Sequence, residues 1–170
     1  MIDTDNSYYL LSNILTENGL VKKIQELKYE KKIIGLCSGS FDLLHPGHIT
    51  HLTSAKNFCD VLFVAIATDN LSEKIKSRKG RPVFSQEVRA YSVAQLKPVD
   101  FVLYNENEYS TIDLIQPDFY IKGKDYLNKT DPVLDKIKEF LEARGGKIVF
   151  TVDEKLSTTQ LIEYIKHEIN

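Results

Sequence analysis

Five short apolar runs recur along the chain: KIIGLC (32–37), VLFVAIAT (61–68), DFVLY (100–104), DFYIKG (118–123) and KIVFTV (147–152). Runs of this length with little polar alternation predict strands buried on both faces. Helical patterns separate them. These are PGHITHLTSAKNF (46–58), SQEVRAYSVAQL (85–96), STIDLIQ (110–116), DPVLDKIKEFLEARGG (131–146) and STTQLIEYIKHEI (157–169). Asp-Pro starts the fourth of these helices and Gly-Gly stops it. The segment after VLFVAIAT reads as a polar, basic loop. Strands that alternate with helices require right-handed crossovers between parallel neighbours. The expectation is an α/β fold: a Rossmann-like, doubly wound parallel sheet of five strands with helices on both faces.

Residues 7–30 carry apolar side chains at spacings of three and four, interrupted by Asn18-Gly19, and predict helices joined by a turn. They are read as a short N-terminal helical extension, residues 1–31, ahead of a single domain at 32–170. A chain of 170 residues is long enough to bury one core.

The charge balance limits the partners. With 22 basic and 24 acidic side chains, the net charge of −2 offers no basic surplus for nucleic acid or an anionic membrane. The longest wholly apolar run, VLFVAIA, is too short to span a bilayer, and MIDTDNSYYLL lacks the positive start of a signal peptide. Cys37 and Cys59 are the only cysteines, which points to a reducing compartment rather than a disulfide framework. A cytoplasmic location is expected, with Cys37 read as a small buried side chain. No G-x-G-x-x-G follows the first strand, and no Gly-Lys-Ser or Gly-Lys-Thr marks a P-loop.

The stretch GSFDLLHPGHITHL (39–52) holds three of the four histidines, directly after the first strand. Pro46 suits a first helical turn, and Gly47 lets a ligand approach its backbone. Free N–H groups and the helix dipole make phosphate the natural ligand there. His45 and His48 flank that turn, and Gly39 and Ser40 provide a tight strand exit whose amides can hold further oxygens. The loop after the second strand and the Lys-Gly-Lys-Asp after the fourth are expected at the same carboxyl-terminal edge of the sheet. Two imidazoles beside phosphate suit nucleotidyl transfer, in which an acceptor phosphate attacks the α-phosphorus of a nucleoside triphosphate and pyrophosphate leaves. Metal binding is a weaker reading: His45, His48 and His51 on one helix fan across about 120°, wide for one ion.

GSFDLLHPGH resembles the first signature of the HxGH nucleotidyltransferases. KGRPVFSQEVRA (79–90), YIKGKDY (120–126) and GGKIVFTVDEKLSTTQLI (145–162) are similar to the family's later segments, in the same order. Within the family the likeness is nearest to the heptose 1-phosphate adenylyltransferase domain that forms ADP-heptose, with glycerol-3-phosphate cytidylyltransferases next.

The resemblance implies roles for named residues. His45 and His48 contact the triphosphate and the transition state, with Lys79 and Arg89 as further catalytic groups. Gly39, Ser40, Phe41, Asp42 and Gly47 line the nucleotide pocket. One or two of Lys74, Lys76 and Lys79, within the basic run KIKSRKGR (74–81), reach the phosphates. Lys122, Gly123 and Asp125 bind nucleotide. Ser157, Thr158 and Thr159 open the last helix, where hydroxyls and amides grip phosphate. Mg²⁺ accompanies the triphosphate, held mainly by phosphate oxygens, and no residue is assigned as a metal ligand. His51 is read as a surface or supporting residue, and His167 as a cation at a helix C-terminus.

The reaction implied joins a nucleoside triphosphate, ATP, to a sugar or polyol phosphate such as heptose 1-phosphate, for surface glycan (lipopolysaccharide) assembly by a homodimer. Two alternatives stand beside it. One is a CTP-dependent enzyme acting on glycerol 3-phosphate or another small phosphate. The other is a nucleotide-binding regulator without turnover. Asp153-Glu154-Lys155-Leu156 stands where cytidylyltransferase relatives carry Arg-Thr, which removes a guanidinium and weighs against CTP. Lys124 replaces the second glycine of the heptose-type Lys-Gly-Gly-Asp-Tyr.

Overall fold

The computed structural model of the chain describes residues 11–76, 80–127, 132–153 and 158–168. The elements run α1 (Glu17–Tyr29), β1 (Ile34–Gly39), α2 (Pro46–Lys56), β2 (Val61–Ala67), α3 (Asp69–Lys76), α4 (Gln86–Ala94) and β3 (Phe101–Asn105). They continue with α5 (Glu108–Ile115), β4 (Phe119–Gly123), α6 (Pro132–Glu142), β5 (Lys147–Thr151) and α7 (Thr158–Glu168). The sheet order is β3-β2-β1-β4-β5 and every neighbouring pair is parallel. This is the five-stranded, Rossmann-like arrangement expected from the alternation.

The order reverses between β1 and β4, because the chain steps outward to β3 and then returns to the other side of β1. Such a reversal is where α/β sheets bind ligands. The register shows the opening directly. β1 follows β2 as far as Gly39↔Ile66, and β4 follows β5 as far as Gly123↔Thr151. The β1–β4 ladder ends earlier, at Leu36↔Tyr120. Ser38 and Gly39 on one strand and Lys122 and Gly123 on the other therefore flank a crevice.

Alternate residues of the strands fill two cores. Ile34, Leu36, Phe63 and Tyr120 pack with α1, α5 and α6 through Leu20, Ile24, Leu27, Ile112, Ile115, Ile137 and Leu141. Cys37, Leu62, Val64, Ile66 and Ile121 pack with α2 and α4 through Leu52, Ala55, Ala90 and Val93. Full burial of one such aliphatic side chain contributes about 1.5–3 kcal/mol. Burial also drives the Cys37 thiol far above its ordinary pKa, and raises that of Cys59 to about 11. Thiols held protonated in this way are poor nucleophiles. No helix among the described residues is long and apolar enough to cross a membrane.

Three local expectations change. Residues 11–16 are not helical. They run beside the outer edge of β3, where Leu15 N donates to Val102 O at 2.8 Å and Val102 N to Asn13 O at 2.8 Å. Occupying a sheet edge satisfies backbone groups that would otherwise stay unpaired, and this outweighs helical spacing in a short segment. The helix starts only after Thr16, whose Oγ1 accepts from Gly19 N, so Asn18-Gly19 forms its first turn rather than a break. The basic loop expected after β2 opens with a helix, α3. Thr68 starts it, accepting from Leu71 N at its hydroxyl (3.4 Å) and from Ser72 N at its carbonyl (2.8 Å). Finally, α5 begins two residues earlier than expected because Asn107 caps it, accepting from Tyr109 N (2.9 Å) and Ser110 N (3.2 Å).

Candidate active site

The histidine turn is held by a strained loop. After β1, Phe41 and Leu43 both adopt left-handed backbone (φ +49° and +50°), a region that side chains with a Cβ rarely occupy. Between them Asp42, only 2% exposed, anchors the loop. Its carboxylate accepts from Val83 N (3.0 Å) and Phe84 N (3.2 Å) and pairs with Arg81 Nε at 2.8 Å. Its carbonyl accepts from Thr158 Oγ1 at 3.1 Å, which brings the start of α7 to the loop. Phe41 is buried, and at Gly39 a Cβ would come within 3.2 Å of its ring. Glycine there is what lets the ring fold back over the strand exit.

His45 sits at the N-cap of α2 with extended backbone (φ −140°, ψ 167°), and Pro46 occupies the first helical position. The ring of His45 stacks on that of His48, with centroids 3.8 Å apart and planes 24° from parallel. Phe41 flanks the stack, 5.3 Å from His48. His45 is buried, and its Nδ1 has no hydrogen-bond partner among the described residues. A buried ring nitrogen without a partner costs about 1–3 kcal/mol, a cost that a ligand in the turn would remove. Burial lowers the pKa of His45, so its imidazole is neutral at pH 7. A neutral ring donates through one nitrogen only. Pro46 has no N–H and His48 N is bonded to His45 O at 2.9 Å, so the Gly47 amide, over which no side chain stands, joins the two rings in an arrangement suited to phosphate oxygens.

Arg89 lies within the wall of the site. The resemblance implies a catalytic group, but this side chain is 1% exposed and spent inside the protein. Nε donates to Phe84 O (3.0 Å), Nη1 to Ser40 O (2.5 Å) and Nη2 to Asp69 Oδ1 (2.6 Å). A guanidinium on the buried side of α4 reaches carbonyls of the β1 exit and of the loop just before α4, so it holds the pocket wall in place. Ser40 is tied in similarly, its hydroxyl 3.1 Å from that of buried Ser72.

The other expected residues that are described fall on several elements. Lys74 is exposed on α3, and Lys76 is the last residue of that helix. Lys79 and Ser157 lie outside the described residues. Thr158 and Thr159 form the first turn of α7. Gly123 ends β4, and a Cβ on it would meet Asp125 Oδ1 at 3.3 Å. His51 stitches α2 to β5, its Nδ1 2.8 Å from Thr151 Oγ1, and Ser54 adds a bond to Asp153 (2.7 Å). No group of three His, Cys, Asp or Glu among the described residues could hold a metal ion. The carboxylates of the pocket wall, Asp42 and Asp69, are both engaged by arginines.

Lys122 does not extend freely into a nucleotide pocket. Its Nζ donates to Ser38 Oγ (2.9 Å) and Glu108 Oε1 (3.1 Å), and lies over the rings of Tyr120 (4.5 Å) and Tyr126 (5.3 Å). Ser38, Glu108 and Asp69 carry no motif that marks them in the sequence, and Arg81 lies within KIKSRKGR and KGRPVFSQEVRA without being singled out there. Only position could have suggested the first two, since both fall where a strand ends or a helix begins at the carboxyl edge of the sheet.

Comparison with known proteins shows the family and the fold. The family model for cytidylyltransferase-like proteins matches residues 36–164. "Bifunctional protein HldE" of Helicobacter pylori (strain HPAG1) is 35% identical over 153 residues, 89% of this chain and 31% of that protein. The protein of the same name from Aliarcobacter butzleri (strain RM4018) is 38% identical over 157 residues, 91% of this chain and 31% of that one. The chain thus spans about a third of the length of these curated relatives. Among solved structures, the lipopolysaccharide core biosynthesis protein from Thermoplasma volcanium GSS1 superposes with a TM-score of 0.62 at 26% identity. The superposition covers 73% of this chain and 99% of that one. With its stacked HxGH histidines at the carboxyl edge of a parallel sheet, this chain belongs to the cytidylyltransferase-like family and is a nucleotidyltransferase.

Proposed function

We propose that the chain transfers a nucleotidyl group from ATP to the phosphate of a sugar or polyol phosphate resembling heptose 1-phosphate. The products are a nucleotide-diphosphate sugar and pyrophosphate, and the setting is surface glycan assembly. The observation that carries this reading is the stacked His45–His48 pair at the first turn of α2, with a buried ring nitrogen of His45 lacking a partner among the described residues. The relatives named HldE and the lipopolysaccharide biosynthesis neighbour support the sugar-nucleotide class.

The chemistry needs little from the protein beyond placement. A phosphomonoester has a second pKa of about 6, so the attacking oxygen is already anionic at neutral pH and no general base is required. It adds to the α-phosphorus as the bond to the bridging α–β oxygen breaks, and pyrophosphate departs opposite the nucleophile. What the site supplies is in-line alignment and donors to the oxygens that gain charge. His45, His48 and the Gly47 amide fill that role, with the backbone amides of Thr158 and Thr159 at the start of α7. Asp42 and Arg89 act on these groups from behind, by fixing the loops. Mg²⁺ accompanying the triphosphate would be held chiefly by phosphate oxygens, since Asp42 and Asp69 are engaged by arginines, and would supply charge neutralisation there.

Pyrophosphate release, measured for each of four nucleoside triphosphates against heptose 1-phosphate and glycerol 3-phosphate, tests the reading. ATP with the heptose phosphate is the expected pair. Turnover only with CTP and glycerol 3-phosphate would replace it, and tight ATP binding without any release would mark a regulator. The family resemblance also makes a homodimer part of the proposal, and sedimentation as a monomer at micromolar concentration would remove it.

A further inference from the structure

The reversal point of the sheet carries a second polar cluster, separate from the histidine turn. Beyond Leu36↔Tyr120 the β1 and β4 strands no longer pair, and side chains bridge the gap instead. Ser38 Oγ lies 2.7 Å from Tyr120 OH and accepts from Lys122 Nζ at 2.9 Å. Ser38 is also hydrogen-bonded to Glu108, which pairs with Lys122. The second carboxylate oxygen of Glu108 accepts from Asn105 Nδ2 (3.1 Å), and Asn105 Oδ1 accepts from Thr111 Oγ1 (2.9 Å). Asn105 and Thr111 are buried, so the carboxylate is fixed from behind. Its front is partly open: the Lys122 and Glu108 side chains are 12% and 23% exposed.

Building such a group into a core is unfavourable. Apolar residues of similar volume would stabilise the fold at least as well as a mostly buried ion pair. Its chemistry also speaks to the ligand. An unpaired lysine at the crevice would attract phosphate. Here a fixed carboxylate offsets the ammonium and repels an anion, and the cluster presents a donor (Lys122) beside acceptors (Glu108, Ser38), with the buried Tyr120 hydroxyl backing Ser38. That alternation complements neighbouring hydroxyl groups.

We infer that Ser38, Glu108 and Lys122 form the subsite that receives the uncharged, hydroxylated part of the acceptor, with Glu108 as its specificity-determining residue. The inference rests on the proposed sugar-phosphate reading and deepens it. The acceptor's phosphate then lies toward the histidine turn, and its hydroxyls toward the gap between β1 and β4.

The sign of one substitution tests this. Glu108→Gln keeps the size of the side chain and removes its charge. The KM for heptose 1-phosphate is expected to rise about tenfold, the scale of a lost charge-assisted hydrogen bond. The KM for ATP and inhibition by inorganic phosphate, a probe without carbon-bound hydroxyls, are expected to stay as in the wild type. If Lys122 instead meets phosphate, E108Q uncovers its charge, so phosphate inhibition strengthens and the acceptor KM falls. Either change, or an unaltered acceptor KM, overturns the inference. Ser38→Ala, which leaves the ion pair in place, is expected to shift the acceptor KM in the same direction by a smaller factor, and a rise in ATP KM instead would count against the subsite. A wild-type enzyme active on another class of acceptor would overturn the proposed function and this inference together. A wild type active on heptose 1-phosphate with an unaffected E108Q would overturn this inference alone.

Discussion

The guanidinium of Arg89 and the carboxylate of Asp69 are joined at 2.6 Å, although they come from two different helices, α4 and α3. Arg89 reaches Ser40 and Phe84 carbonyls at the same time, so one cation fixes α3, the end of β1 and the loop before α4. Arg89→Leu leaves a carboxylate and two carbonyls without their donor. The expected cost is about 3–5 kcal/mol, read as a lower urea midpoint. Arg89→Lys is expected to fall between, because a point charge cannot span three acceptors in a fixed fork. A leucine variant as stable as the wild type would remove the scaffold role.

His48→Ala is expected to lower turnover by about 10²-fold or more, the scale of losing one donor to developing charge. The thermal midpoint should change little, because His48 is half-buried and contributes one ring to a stack rather than a core contact. Activity within a few-fold of the wild type would mean that the stack faces something other than the triphosphate.

Much of this was legible in the sequence because local signals and the global pattern agreed. The five strands announce themselves as apolar runs, and the parallel order follows from the crossovers. His45 and His48 are legible because proline, glycine and imidazoles at fixed spacing describe a helix start that only a ligand justifies. The roles of Arg89 and Asp42 were not legible. Their partners lie on other elements, at Asp69, Ser40, Val83 and Phe84, and a motif records which residue is present without saying whether it faces ligand or core. Glu108 was invisible for a related reason: its significance comes from the gap between β1 and β4, a property of register rather than of composition. Likewise α3 was hidden because Thr68 starts it by a hydrogen bond, while charged residues dilute its short apolar spacing.

Two histidines predict how stability depends on pH. Burial lowers the pKa of His45, and of His51, where Lys122 adds to burial while Asp153 and Asp125 oppose it. The folded state therefore binds protons less readily than the unfolded chain, whose histidines titrate near pH 6.5. Stability should be fully present above that value and decline as pH falls through it toward the lowered folded values. Carboxylates titrate near pH 4, below this window. A thermal midpoint that drops between about pH 7.5 and 5.5, and drops less in His51→Gln, is the expected result. A midpoint flat across that range would contradict it.

The paired glycines after α6 look alike in sequence and are expected to behave differently. Gly145 has φ +83°, and a Cβ there would meet nothing within 4 Å, so its requirement is purely conformational. Asparagine tolerates the left-handed region better than most residues, so Gly145→Asn is expected to cost only about 1 kcal/mol or less. Gly146 is limited by space instead. A Cβ there would sit 2.5 Å from the Pro117 carbonyl oxygen and 3.2 Å from Leu141 Cδ2. The oxygen belongs to backbone just before β4, and Gly146 N is itself bonded to Leu141 O at 3.0 Å, so neither side can yield without disturbing the entry to β5. Gly146→Ala should therefore cost about 1–3 kcal/mol, as overpacking does, and lower the urea midpoint more than Gly145→Asn. If the order is reversed, the close approach of Gly146 to Pro117 is not what fixes this turn.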